Sequence, residues 1–239
     1  MNDVSASLGA NGLLSRLPQE LQESLGPHLR RIKLMQGAIL HEPGEAVTRV
    51  YFPISGMVSV LAVLQSGEAV ETSMIGREGF VGGYFGLGGW RSVGHAVMQM
   101  TGEALTLTIG QFKQAYDTSA EFRTLINAYQ AVVYYQAQQT AACQAIHHVE
   151  ARMCRWLLQA QDTVGGDTLY LTQEFLSHML GVRRTSVSGS ANKIQEEGLI
   201  AYRRGVIRII DRKRLESRAC ECHSTIRATT ADLLAHADR

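Results

Sequence analysis

The sequence predicts an α+β chain: an N-terminal antiparallel β-roll, one long helix and a C-terminal winged helix-turn-helix. Three observations carry this. Between Leu29 and Leu107, short β-rich runs alternate with turns at Pro43-Gly44, Ser55-Gly56, Ser66-Gly67 and Gly76. That spacing of roughly 10 residues marks an antiparallel sandwich or barrel. No proline follows Pro53, so nothing interrupts a long helix in the second half. Finally, LTQEFLSHMLGVRRTSVSGSANKIQEEGLIAYRRGVIRI over 171–209 has the layout of two short helices and a hairpin.

The elements follow in order. Residues 1–12 read as a loose tail. Leu13–Leu25 has helical spacing interrupted by Pro18, hence two short pieces, the second ending near Gly26. The roll occupies 13–118, with Gly79–Gly94 a glycine-rich loop holding a short helix and Val97–Ile109 closing the sheet. From about Phe112 the chain is helical. Over 119–146, Leu125, Ala128, Val132, Tyr135, Gln139, Ala142 and Ile146 alternate at spacings of three and four. This a/d seam predicts a dimerisation helix roughly 40 Å long. A second helix, Val149–Thr163, puts Met153, Trp156, Leu157 and Ala160 on one side and ends at Gly165-Gly166. It opens a DNA-binding domain over 147–218, and 219–239 is a C-terminal tail.

Within that domain, Thr172 has the hydroxyl of an N-cap for a helix over Gln173–Leu180. Ser177 is small enough for a second helix to pack close, and Gly181 supplies a turn where φ is positive. Leu176, Leu180, Val182 and Val187 form the shared apolar face. Ser190 stands where an aliphatic residue is expected, leaving more of the packing to Ala191 and Ile194. The second helix, Arg184–Glu196, opens with donors and acceptors suited to phosphates and base edges: Arg183, Arg184, Thr185, Ser186 and Ser188. Arg184 is the candidate guanine reader and Arg183 a phosphate contact. Leu199–Tyr202 and Val206–Ile210 flank a basic turn, making a wing whose Arg203 and Arg204 lie near backbone phosphates. Thr172, Gln173 and Lys193 complete the candidate DNA-binding set.

Charge agrees. Over 171–214, nine Lys/Arg face four Asp/Glu, whereas over 1–146 nine face eleven. The positive surplus lies where DNA would dock. No apolar run approaches the roughly 20 residues of a membrane span, and MNDVSASLGANG lacks the basic and apolar regions of a signal peptide, so a cytoplasmic location is expected. The four cysteines, Cys143, Cys154, Cys220 and Cys222, form no disulfide framework and read as reduced thiols. No nucleophile elbow, P-loop lysine or metal triad argues for an enzyme.

A roll, a dimer helix and a winged helix-turn-helix in this order resemble the CRP/FNR superfamily of bacterial transcription regulators. The resemblance spans about residues 13–215 and rests on GAILHEPGEAVTRVYFPISGMVSV and LTQEFLSHMLGVRRTSV. It implies a cyclic-nucleotide-binding-like jelly roll that senses a signal, a homodimer, double-stranded DNA as partner, a near-palindromic site and contact with RNA polymerase. The family's nucleotide binders hold the ribose with a glutamate just after an F-x-G turn and the phosphate with an arginine further on. Here the turn is Phe80-Val81-Gly82, the glutamate position is Gly83, followed by Tyr84, and the arginine position is Ser92, with Arg91 one place away. These six positions (Phe80, Gly82, Gly83, Tyr84, Arg91, Ser92) are the candidate effector pocket, and cyclic nucleotide binding in the usual mode is not expected. An iron–sulfur cluster held by N-terminal cysteines is excluded because residues 1–142 contain no cysteine. Cys220-x-Cys222-His223 is assigned to a solvated tail and no metal site is expected. His147-His148-x-Glu150 reads as a junction between helices. The alternatives are a cyclic-nucleotide-responsive regulator and a ligand-binding module acting on a protein partner.

Overall fold

The computed structural model describes residues 8–82 and 91–237 and divides into two compact units. The first comprises the chain to Val60, Ile75–Tyr134 and the residues from Thr229 on; the second comprises Leu61–Met74 and Tyr135–Ala228.

In the first unit, β1 (Arg30–Leu34), β7 (Gly102–Thr108) and β3 (Arg49–Pro53) form one antiparallel sheet, with Ile32 opposite Ala104 and Phe52 opposite Leu105. A second sheet has the order β2 (Ile39–His41), β6 (His95–Met100), β4 (Met57–Val63), β5 (Ala69–Ile75), its Leu61–Met74 part counted with the second unit. Alternation along β3 sends Val50 and Phe52 fully inward. There Phe52, Phe80, Phe112 and Phe122 build an aromatic core, with ring centroids 5.2–6.4 Å apart. The β6–β7 turn is forced to glycine: a Cβ on Gly102 would sit 2.2 Å from the Ser55 carbonyl oxygen.

Helix α1 (Gln19–Leu25) follows Pro18, between 3-10 turns at Leu14–Arg16 and Gly26–His28. The loose-tail reading fails for residues 8–12. Asn11 is fully buried, donating to Pro53 and Gly79 carbonyls and accepting from the Leu13 and Leu14 amides. A capping box between Thr108 and Gln111 starts α2 (Ile109–Thr118). The long helix is α3 (Ala120–Ile146).

In the second unit, α4 (Val149–Val164) buries Met153, Trp156, Leu157 and Ala160 completely and ends at Gly165 in the left-handed conformation. The Leu61–Met74 segment belongs to this unit: the Trp156 indole N–H donates to the buried Glu71 carboxylate at 2.6 Å. A three-stranded sheet has the order β8 (Thr168–Tyr170), β10 (Val206–Ile209), β9 (Ile200–Arg203). Helices α5 (Gln173–Leu180) and α6 (Arg184–Glu196) lie between β8 and β9 in sequence. The chain continues through α7 (Arg212–Arg218) to α8 (Cys222–His236). Residues 222–236 are therefore helical rather than a solvated tail, and Cys220, Cys222 and His223 are buried.

Candidate nucleic-acid interface

The helix-turn-helix is built as its side chains require. Thr172 caps α5 by accepting from the Phe175 amide at 3.2 Å. Gly181 closes the helix with φ 59°, and the Val182 amide returns to the Ser177 carbonyl. Leu176, Ser177, Met179 and Leu180 from α5 are buried, as are Val187, Ala191 and Ile194 from α6. Ser190 is half-buried, so Ala191 and Ile194 do carry the inner face beyond Val187.

Arg183, Arg184, Thr185 and Ser186 stand exposed at the start of α6. Ser188 is engaged inside the unit, its hydroxyl donating to the Gln173 side-chain oxygen at 2.8 Å. It pins α6 to α5. Lys193 is directed to Glu150 at 2.7 Å, and Glu150 also accepts from Arg218, which reaches Glu197 at 2.9 Å. This network fixes the far end of α6. Opposite the buried stripe, Thr185, Gly189, Asn192 and Lys193 are exposed, and nothing lies within 4 Å of where a Gly189 Cβ would be. Gly189 and Asn192 were not singled out in the sequence. The signal was present, since both fall on the face opposite Val187, Ala191 and Ile194 at helical spacing.

In the wing, Arg203 pairs with Val206, leaving a two-residue loop of Arg204 (φ 50°) and Gly205 (φ 78°). Positive φ at both positions is the type I′ hairpin turn, whose twist matches that of the strands. The turn lies beside the start of α5: the Gly205 carbonyl accepts from the Leu171 amide at 2.7 Å. Tyr202 connects wing and helix. Its hydroxyl donates to the Leu171 carbonyl at 3.2 Å and its amide to Gln195 at 2.6 Å. Burial pushes the Tyr202 phenol up, and the nearby Arg184 charge opposes this. Arg184, Arg203 and Arg204 thus border one basic surface.

Residues 31–119 match the model of the cyclic nucleotide-binding domain, and residues 151–218 match that of the Crp-like helix-turn-helix domain. The chain belongs to the CRP/FNR superfamily of transcription regulators. Solved CRP/FNR-type structures share its fold. FixK2 from Bradyrhizobium japonicum aligns with a TM-score of 0.69 at 15% identity, covering 80% of this chain and 98% of that one. The c-di-GMP responsive global regulator CLP from Xanthomonas campestris aligns at 0.65 and 19%, covering 80% and 99%. A CRP/FNR-family transcriptional regulator from Thermus thermophilus aligns at 0.65 and 21%, covering 80% and 98%. Comparison with curated proteins finds no match. No helix among the described residues is long and apolar enough to cross a membrane.

As a CRP/FNR-type roll, the first unit has a cavity of about 50 Å³ bordered by Phe80, Gly82, Ser92, Tyr129 and Val133. Such a volume holds a few waters, whereas pockets for drug-sized ligands run to about 300–1,000 Å³. The Ser92 hydroxyl donates to the Gly94 carbonyl at 2.7 Å. The Arg91 guanidinium is outside the lining, donating to the Gly44 carbonyl at 2.6 Å. Gly83 and Tyr84 lie outside the described residues.

Two residues of the seam predicted on the long helix, Leu125 and Val132, turn inward. Leu125 and Val132 are 4% and 1% exposed, inside the core of their own unit. Ala128, Tyr135 and Gln139 are half-buried and Ala142 is exposed. The fully outward stripe is Asn127, Ala131, Tyr134, Gln138, Ala141 and Ala145, again at spacings of three and four. It lies about one residue, or roughly 100°, around the helix from the predicted one.

Proposed function

We propose that this regulator reads a near-palindromic DNA site as a homodimer. The observation that carries the reading is the joint exposure of Arg183–Ser186 at the start of α6 and of Arg203 and Arg204 on the adjoining I′ turn. A helix start in the major groove, with a basic hairpin on the flanking phosphates, uses these groups as their chemistry suggests. Arg184 reads a guanine bidentately; Arg183, Arg203 and Arg204 hold phosphates. Ser188 and Lys193 act mainly by positioning α6, through Gln173 and Glu150.

Two copies pair through the outward stripe of α3, where Ala131, Ala141 and Ala145 allow close approach and Tyr134 supplies the contact area. One recognition helix per chain then becomes two, about one DNA turn (roughly 34 Å) apart.

For the roll, Ser92 in the arginine position and the engagement of Arg91 with Gly44 support gating by something other than a cyclic nucleotide in the usual mode. Fluorescence anisotropy with the full chain tests the DNA assignments. Arg184→Ala is expected to lose about 1–3 kcal/mol of discrimination at one base pair per half-site. Arg203→Ala is expected to weaken all sequences evenly. An unchanged base preference in Arg184→Ala contradicts the assignment.

A further inference from the structure

Three cysteines and a histidine from separate parts of the second unit converge at the end of α3. Cys143 and His147 come from its last turn and the residue after it; Cys220 and Cys222 come from the junction of α7 and α8. The Cys143 and Cys220 sulfurs are 3.6 Å apart, as are the Cys222 sulfur and His147 Nδ1. All four donor atoms lie within 4.8 Å of one another. Tetrahedral zinc with Zn–S bonds near 2.3 Å and a Zn–N bond near 2.1 Å separates its ligand atoms by about 3.6–3.8 Å.

From this convergence we infer a mononuclear zinc site of Cys143, His147, Cys220 and Cys222 that clamps the end of α3 to the α7–α8 junction. A cluster of several irons needs donors farther apart than these. The expectation of no metal site is replaced. His223, grouped with the cysteines by sequence, is not a ligand: it pairs with Asp162 at 2.8 Å. His147 takes its place.

The surroundings fit a resident cation. His147 presents Nδ1 to the sulfurs, and its Nε2 is 3.3 Å from the Glu221 carboxylate. That carboxylate–histidine pairing orients zinc-bound imidazoles. The Gln139 amide donates to the Cys222 sulfur at 3.1 Å, as donors do to metal-bound thiolates. Three thiolates on Zn²⁺ leave one net negative charge, and the buried Arg152 and Arg155 stand close enough for their charges to act on these thiols. The Nε atoms of both arginines lack a hydrogen-bond partner among the described residues. The side-chain contact with Cys220 lowers the Cys143 thiol, burial opposes this, and the Arg155 charge adds to the lowering. Binding exchanges the thiol protons for the ion, with no change of oxidation state.

The test uses the full chain without an affinity tag, purified without chelator, with metals measured by plasma mass spectrometry. The expected content is about one zinc per chain, and the cobalt-substituted protein shows intense tetrahedral visible bands with thiolate charge transfer. Cys143→Ser and Cys222→Ser lose the ion, Cys154→Ser keeps it, and Glu221→Gln weakens zinc affinity about 10-fold or more without changing the cobalt spectrum. If the cysteine variants do not fold, chelation of the wild-type chain substitutes: the melting temperature falls and recovers when zinc alone is restored. Zinc-free protein that takes up no cobalt, bound iron with cluster absorbance, or full zinc in Cys143→Ser overturns the site.

Discussion

At Arg204 the backbone adopts φ 50°, the one left-handed non-glycine conformation among the described residues. Such a conformation costs an ordinary side chain roughly 1–2 kcal/mol, and asparagine tolerates it better. The turn retains an arginine where asparagine suits the backbone, consistent with a cation serving DNA at the wing tip. Arg204→Asn is therefore expected to raise the melting temperature by a few degrees while weakening DNA binding and reducing the salt slope by about one for each chain of the dimer; calorimetry and salt titrations check both. Gly181 behaves oppositely. With φ 59° and a Val70 methyl 3.2 Å from any added Cβ, Gly181→Ala should lose about 1–2 kcal/mol of stability, read by urea denaturation. This glycine was legible because the turn of a helix-turn-helix demands it. The metal-type cluster was not: Cys220, Cys222 and His223 are adjacent in sequence, and nothing local says that His223 turns to Asp162 while Cys143 and His147 arrive from 77 and 75 residues away.

Among the elements, α3 separates what periodicity can say from what it cannot. Spacings of three and four recur along it on more than one face, so a 27-residue helix was readable while its orientation was not. Packing decides: the aromatic-rich core of the first unit takes Phe122, Leu125, Tyr129 and Val132, leaving the stripe through Tyr134 outside. Leu125→Ala should thus lose about 2–5 kcal/mol of fold stability. Tyr134→Glu should leave the fold intact and weaken dimerisation by about 2 kcal/mol, roughly 30-fold. Sedimentation equilibrium of both variants distinguishes these roles. Helix α6 was legible to its ends because a turn glycine, a buried triad and a closing Gly198 all bound it. Gly189 on its open face costs helix stability and keeps that face low, so Gly189→Ala should stabilise the helix by about 0.5–1 kcal/mol while reducing DNA affinity.

For the whole molecule, the charge surplus over 171–214 and the fold order were readable from composition and turn spacing. The allocation of Leu61–Met74 to the second unit was not, because it rests on long-range contacts, among them the buried Glu71–Trp156 hydrogen bond between residues 85 apart. With Arg183, Arg203 and Arg204 of two chains on phosphates, log affinity should fall with log salt at a slope of about −5. The central claim is a two-fold reader of DNA. Selection of binding sites from a random duplex library with the full chain tests it most directly. The predicted result is an inverted repeat with half-site centres about 10 base pairs apart, whose strongest guanine preference disappears in Arg184→Ala. Enrichment of a single unrepeated element, or of no sequence at all, would contradict two-fold reading.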